Sequence, residues 1–204
     1  MSRYGSDFAH LYEAPKIMYP VISKEPRFAM DKQGYFGNGK TFFVALEDWY
    51  LLGVLNSESV RNWVAQAFSP LRGGYYEFHA AYMETLPIPD APAAERKAAA
   101  RLAEQAQKLH TQRRKRVEKF LRDLGTSPAE SSSRNPLEQP WQLEPDEFAR
   151  RVKKLDLTGR ANLRLAGDLS GLHAAARDET AALTGQIARV EKEIDARVAG
   201  LYGV

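Results

Sequence analysis

The chain has 204 residues, of which 44% are hydrophobic and 27% charged, and it contains no cysteine. These values are ordinary for a soluble globular protein of one large or two small domains. The missing cysteine excludes disulfides and thiolate metal sites. No apolar run approaches the roughly 18 residues of a membrane span, and the N-terminus lacks the basic-then-apolar order of a signal peptide. The expectation is a cytoplasmic protein with no membrane partner. The net charge of +3 is unevenly placed: residues 1–90 hold 8 Lys and Arg against 10 Asp and Glu, and residues 91–204 hold 21 against 16. Any nucleic-acid role of the first part therefore depends on where its few basic residues stand, not on bulk charge.

In chain order, residues 1–14 carry no clear pattern. Lys16–Ile22 is rich in β-formers but contains Pro20, which marks it as an edge or interrupted strand. Arg27–Met30 reads as a short strand, and Asp31–Gly34 as a hairpin-type turn. Gly37-Asn38-Gly39 is a second turn, and Thr41–Leu46 is the strongest strand. From Glu47 to Phe68 apolar residues recur every three or four positions, predicting two helices broken near Asn56-Ser57, with Ser57 capping the second. Leu71–Tyr76 contains a paired-glycine turn, and Leu86-Pro87-Ile88-Pro89 is a rigid extended segment. Between them, Phe78, Tyr82 and Met83 are expected to pack inward. Leu102, Ala106, Leu109, Val117, Phe120 and Leu124 form the stripe of a long helix over 93–124, stopped by Gly125. A linker is expected over 126–144, rich in Ser and Pro at its start, then a short helix from Pro145 to Leu155. The last helix, over about 163–200, carries Leu165, Leu169, Leu172, Ala176, Leu183, Ile187, Val190, Ile194, Val198 and Leu201 at heptad-like steps. Neither long helix buries its stripe alone, so the two are expected to pair antiparallel.

Several motif matches are weighed against plainer readings. Gly34-x4-Gly39-Lys40-Thr41 fits a phosphate-binding loop, but that loop must follow a buried strand and open a helix, and the residues after it, Phe42–Leu46, read as strand. Asp90 with Glu95 and Lys97 mimics a nuclease signature, yet these residues sit at one helix start and suit its dipole. The four histidines, His10, His79, His110 and His173, have no ligand-like spacing. Arg113-Arg114-Lys115-Arg116 reads as a solvated helix in preference to a phosphate contact. Arg72-Gly73-Gly74-Tyr75-Tyr76 stays open between two readings. It is either a tight turn with tyrosines in the local core, or a contact loop whose arginine forks onto guanine or phosphate. No catalytic site and no metal site are found.

Six pieces in order over residues 15–90 are Lys16–Pro20, Ile22–Phe28, Gly34-Tyr35-Phe36, Leu51–Ser57, Leu71–Tyr76 and Leu86–Pro89. Together they resemble the TaqI-like C-terminal specificity domain, the target-recognition region of single-chain restriction–modification enzymes and related adenine DNA methyltransferases. The Leu-Pro-Ile-Pro entry into a long helix also resembles type I restriction specificity subunits, where antiparallel helices separate recognition domains. The tail from Ile194 to Val204 is similar to the C-terminus of such enzymes. The Asn-Pro-Pro-Tyr type tetrad of the methyltransferases is missing, since Asn135-Pro136 is followed by Leu137. No glycine-rich turn for S-adenosylmethionine is present either. The resemblance therefore implies that the catalytic domain, with S-adenosylmethionine, lies upstream in a longer protein or on a partner.

The expectation is an α+β chain: a small mixed α/β recognition head (1–90) followed by a long antiparallel, coiled-coil-like helical stalk (91–204). The head reads double-stranded DNA for a methyltransferase or restriction enzyme. Candidate DNA contacts are Lys24, Arg27, Lys32, Asn38, Lys40, Arg72 and Tyr75, because loops on a rigid scaffold usually carry such readout. For each of them exposed surface is the plain alternative. The alternative function is a helical module for dimerisation or assembly without base readout.

Overall fold

The computed structural model describes residues 9–126, 136–155 and 168–203. In chain order the elements are α1 (Ala9–Glu13), β1 (Lys16–Pro20), β2 (Ile22–Ser23), β3 (Ala29–Asp31), β4 (Thr41–Val44), α2 (Trp49–Leu55), α3 (Glu58–Ala67), β5 (Tyr76–Glu77), α4 (Ala80–Met83), α5 (Ala93–Asp123), α6 (Pro145–Lys154) and α7 (Leu169–Tyr202). The chain is thus mixed α and β, with small antiparallel sheets first and long helices after. It folds as two compact units, one from the residues up to Gln107 with those from Val190 onward, the other from Lys108–Arg189.

In the first unit, β1 is the centre of a three-stranded antiparallel sheet of order β3-β1-β4. Of the two expectations for Lys16–Ile22, the interrupted strand holds, since β1 ends at Pro20 and β2 begins at Ile22, and the edge strand does not. β3 pairs only with Lys16, Ile17 and Met18, whereas β4 runs beside Ile17 to Pro20. The proline stands where one neighbour remains, so the edge condition holds at a single residue. The expected hairpin at Asp31–Gly34 is also corrected. β3 ends opposite Lys16 and β4 begins opposite Pro20, so residues 32–40 travel the length of β1, not round a tight turn. A second ribbon pairs β2 with β5.

The outer edge of β3 is closed by side chains instead of by a strand. Asn56, at the end of α2, accepts from the Phe28 N–H (2.9 Å) and donates to the Phe28 carbonyl (3.0 Å). Gln107 on α5 does the same for Met30, at 2.7 Å in both directions. Two carboxamides thus satisfy the alternate backbone groups that an edge strand leaves open. The break between α2 and α3 is as the sequence predicts. The Asp48 carboxylate accepts from the Leu51 N–H at 2.9 Å, and the Ser57 hydroxyl accepts from the Val60 N–H.

The predicted stripe of α5 is buried at Ala106, Leu109, Val117, Phe120 and Leu124 and departs from expectation only at Leu102. Ala99, Ala103 and Ala106 are buried, while Leu102 is only half-buried. The cause is Gly53 on α2: a Cβ there would stand 3.3 Å from the Ala103 Cβ and 3.8 Å from Ile194 of α7. Close approach of three helices selects small side chains that a leucine-weighted pattern undercounts. The α5–α7 pairing is antiparallel here, with Glu95 and Arg197 at 2.9 Å. The Leu86–Pro89 segment is clamped by two tyrosines. The Tyr50 hydroxyl donates to the Pro89 carbonyl at 2.6 Å, and that of Tyr202 donates to the Pro87 carbonyl. Burial raises the pKa of both phenols. Phe78 is buried as expected; Tyr82 lies against Phe68 (4.7 Å between ring centroids) but stays exposed.

In the second unit, Val117, Phe120, Leu121 and Leu124 of α5 pack with Phe148 and Val152 of α6 and Leu172 and Ala176 of α7. α5 stops at Gly125, whose φ of 75° allows its N–H to reach Arg122 and that of Thr126 to reach Leu121, both at 2.9 Å. That is the helix-ending motif a left-handed glycine permits. The expected linker over 126–144 divides. Residues 127–135, with Asn135, lie outside the described residues. Residues 136–143 form two short 3-10 turns whose Leu137 and Leu143 enter the core. Two isolated leucines make no period, which is why the stretch reads as linker. The expected start of the last helix near residue 163, with Leu165, also lies outside the described residues. α7 begins at Leu169, with the Asp168 carboxylate accepting from the Gly171 N–H at 2.6 Å.

His173 of α7 is buried and stacked on Phe148, with ring centroids 4.2 Å apart and planes 7° apart. Burial holds its pKa below the ordinary value, and the nearby Arg177 charge adds to this. The unfolded chain therefore takes up a proton near pH 6.5 that the folded ring refuses. Thermal melting from pH 7 to pH 5 is expected to show falling stability, and the His173→Phe variant a shallower fall. Separately, Gln107→Met strips both partners from Met30 and is expected to cost about 1–3 kcal/mol in urea denaturation.

Candidate nucleic-acid interface

The paired-glycine turn is formed by an exchange between Leu71 and Tyr75. The Leu71 N–H donates to the Tyr75 carbonyl at 2.6 Å, and the Gly74 N–H to the Leu71 carbonyl at 3.1 Å. Gly73 and Gly74 take φ of 86° and 74°, conformations that side chains with a Cβ avoid. The turn leaves Arg72 exposed. Its guanidinium makes no ion pair or side-chain hydrogen bond among the described residues. The β2–β5 ribbon places Ser23 opposite Tyr76 and so brings Lys24 to this turn. The Lys24 ammonium lies 5.1 Å from the centre of the Tyr75 ring. Lys24, Arg72 and Tyr75 are one group in space.

The segment from residue 32 to 40 is organised from below. Lys16 is completely buried, and Asp31 opposite it is 7% exposed. The Lys16 ammonium donates to the Asp31 carboxylate and to the Tyr12 carbonyl, both at 2.5 Å. The same carboxylate accepts from the backbone N–H groups of Gln33 and Tyr35, each at 2.8 Å. Burial alone raises the Asp31 pKa, but Lys16 and the two N–H groups outweigh it and hold the carboxyl below its ordinary value. Further on, the Asn38 amide oxygen accepts from the Lys40 N–H (3.0 Å) and the Thr41 hydroxyl (3.3 Å), forming the turn into β4. The Val21 N–H donates to the Lys40 carbonyl at 3.0 Å, so this turn is anchored beside the start of β2. Since Thr41 opens a strand and not a helix, the phosphate-loop match has no helix N-terminus behind it.

The seven candidates therefore separate. Lys24, Arg72 and Tyr75 converge, and Asn38 and Lys40 share one turn. Arg27 is occupied by Glu25 at 3.0 Å. Lys32 is paired with Glu47, whose hydrogen bond and charge raise the lysine's pKa. Both pairs are exposed and worth little in water. The basic run on α5 is largely spent within its own unit. Arg113 lies over the Trp141 ring at 4.7 Å, Arg114 pairs with Glu118 and Arg116 with Glu179. Two residues outside the candidate set stand out by exposure: Tyr35 at 61% and Phe36 at 68%. The available signal was two adjacent aromatics set between glycines, a poor place for a core residue.

Compared with known families, residues 3–88 match the TaqI-like C-terminal specificity domain, and residues 92–198 match a domain of unknown function, DUF8810. The chain carries a TaqI-like specificity domain and belongs to the DUF8810 family. No curated protein matches the chain. The specificity domain contains both sheets, α2, α3 and all seven candidate residues. The DUF8810 segment begins just before α5 and reaches into the last turns of α7, so it supplies residues to both compact units. Within the first unit the two family segments are packed together, through Gly53 of the specificity domain against Ala103 and Ile194 of DUF8810. No helix among the described residues is long and apolar enough to cross a membrane.

Replacing Lys16 with Met leaves the Asp31 carboxylate buried without its cation. The expected cost is about 3–5 kcal/mol in urea denaturation at pH 7. The deficit should shrink as the pH falls through the carboxylate range, because protonating Asp31 removes the uncompensated charge in the variant.

Proposed function

We propose that this chain is the specificity region of a restriction–modification enzyme or adenine DNA methyltransferase, reading a sequence in duplex DNA. The observation that carries this reading is the match to the TaqI-like specificity domain across residues 3–88. The convergence of Lys24, Arg72 and Tyr75 on one exposed turn supports it. Arginine in such a turn has the fork geometry to engage guanine O6 and N7, and Lys24 and Lys40 suit phosphate oxygens. Arg27 and Lys32 join only by exchanging an acidic partner for a phosphate. In this proposal residues 1–90 read DNA and residues 91–204 position them. The catalytic domain, with its S-adenosylmethionine, lies outside this chain and takes the target base from the stack.

The second reading, a helical module for assembly or dimerisation, is favoured by the length of α5 and α7. Against it, Ala106, Leu109, Val117 and Phe120 on α5, and Ile187, Val190 and Ile194 on α7, are already buried within the chain. Truncation before α5 does not separate the readings cleanly. It removes Ala99, Ala103 and Gln107, which complete the first unit's core and the β3 edge.

The test is a point variant. Full-length chain is used to select from duplexes with a randomised centre, and wild type is expected to enrich one sequence. Arg72→Ala should lose about 1–3 kcal/mol of discrimination at one base pair while keeping its melting temperature. Unchanged preference and affinity in that variant would falsify the Arg72 assignment, and failure of wild type to enrich any sequence would sink the DNA reading.

A further inference from the structure

Among the described large hydrophobic residues, Phe36 and Tyr35 are the most exposed, at 68% and 61%. They are adjacent, and their exposure is enforced. The Tyr35 N–H is held at 2.8 Å by the buried Asp31 carboxylate, itself locked by Lys16. The Tyr35 hydroxyl is held at 2.7 Å by Gln33. Phe36 is stacked on Tyr12, with ring centroids 5.1 Å apart and planes 11° apart. Exposing two aromatic rings forgoes the burial that ordinarily draws such side chains inward. A segment that holds them out on a rigid backbone is preorganised for contact.

The chemistry of the partner is set by the neighbours and by the ring geometry. Asn38 and Lys40 lie in the same segment, and the Lys40 side chain has no ion pair among the described residues. The Asn38 amide oxygen is engaged in the turn, and Lys40 supplies a phosphate-seeking cation in the segment that carries the two exposed rings. Insertion between stacked bases requires a ring with both faces free, and one face of Phe36 is already taken by Tyr12. What remains is a single flat apolar face. In a base-pair edge the apolar feature is the thymine C5-methyl, which lies in the major groove.

We propose that Tyr35 and Phe36 are specificity-determining residues that pack against thymine methyl groups in the major groove of duplex DNA. They supply the apolar part of a readout whose polar part lies at Arg72. The Lys16–Asp31 pair positions them. This inference rests on the DNA reading proposed above.

The experiment uses the full-length chain and the duplex it enriches from a randomised pool. Thymines in that duplex are replaced one at a time by uracil, which removes only the methyl. Wild type should lose about fourfold in affinity per contacted methyl. Phe36→Ala should lose a similar factor on the thymine duplex and show no further loss on the uracil duplex. Its salt dependence should be unchanged, because no phosphate contact is touched. Tyr35→Ala serves as an independent variant, and Phe36→Leu, which keeps an apolar surface, should restore part of the thymine preference. If wild type enriches a sequence but tolerates uracil everywhere, this inference is overturned and the DNA reading stands. Equal losses on all duplexes, or a change in self-association by sedimentation with DNA binding unchanged, likewise overturn it. If wild type enriches nothing, both fall together.

Discussion

The buried pair of Lys16 and Asp31 is the constraint on which the 32–40 segment depends. Two opposite charges are taken out of water at the point where β1 and β3 begin and end. Such a pair is tolerated only when every remaining polar valence is met. Here the ammonium also reaches the Tyr12 carbonyl, and the carboxylate also collects the N–H groups of Gln33 and Tyr35. One interaction therefore sets the register of β1 against β3 and fixes how the chain leaves the sheet. The 32–40 segment is shaped at its start by Asp31 and at its end by Asn38. Those anchors leave Tyr35, Phe36 and Lys40 facing solvent.

A similar economy closes the other side of the sheet. β3 has a strand on one flank only, and its free flank is paired with the carboxamides of Asn56 and Gln107. The first belongs to the specificity domain and the second to the DUF8810 segment, so the sheet is finished in part by a residue 77 positions downstream of Met30. Gly53, Ala99, Ala103 and Ile194 repeat the theme in apolar form. The tyrosine clamps on Pro87 and Pro89 repeat it in polar form. The first compact unit is therefore not the N-terminal family segment alone. A surface backed in this way is preorganised for contact with a partner.

Much of the local structure was legible in the residues. The helix break at Asn56-Ser57, the stop at Gly125, the short helix after Pro145 and the positive-φ glycines at 73 and 74 all arise from capping and steric rules. Less was legible where the decision belonged to a neighbour. Pro20 suggested an edge or interrupted strand, and the run does break after it, but strand order depends on which segments arrive on either side. Leu102 outweighed Ala103 in the periodicity, but it is Ala103 that Gly53 approaches closely. At the candidate site, Arg72 and Tyr75 were recognisable from their glycine turn, and Lys24 joins them only through the β2–β5 pairing. Tyr35 and Phe36 passed as family markers because no local pattern says that an aromatic will be left outside.

The sequence by itself determined the class of the chain: strands, then helices, a specificity-domain motif order, and turns carrying basic and amide residues. These are properties of short windows, where propensity, capping and steric rules act within a few residues. Only the tertiary structure decided which strand is central, that Ala103 and not Leu102 meets Gly53, and that Arg27 and Lys32 already have acidic partners. It alone decided that Asn56 and Gln107 complete a sheet edge. Each of these depends on pairing between residues distant in sequence, where the gain from a contact is set by what the rest of the fold delivers to that place.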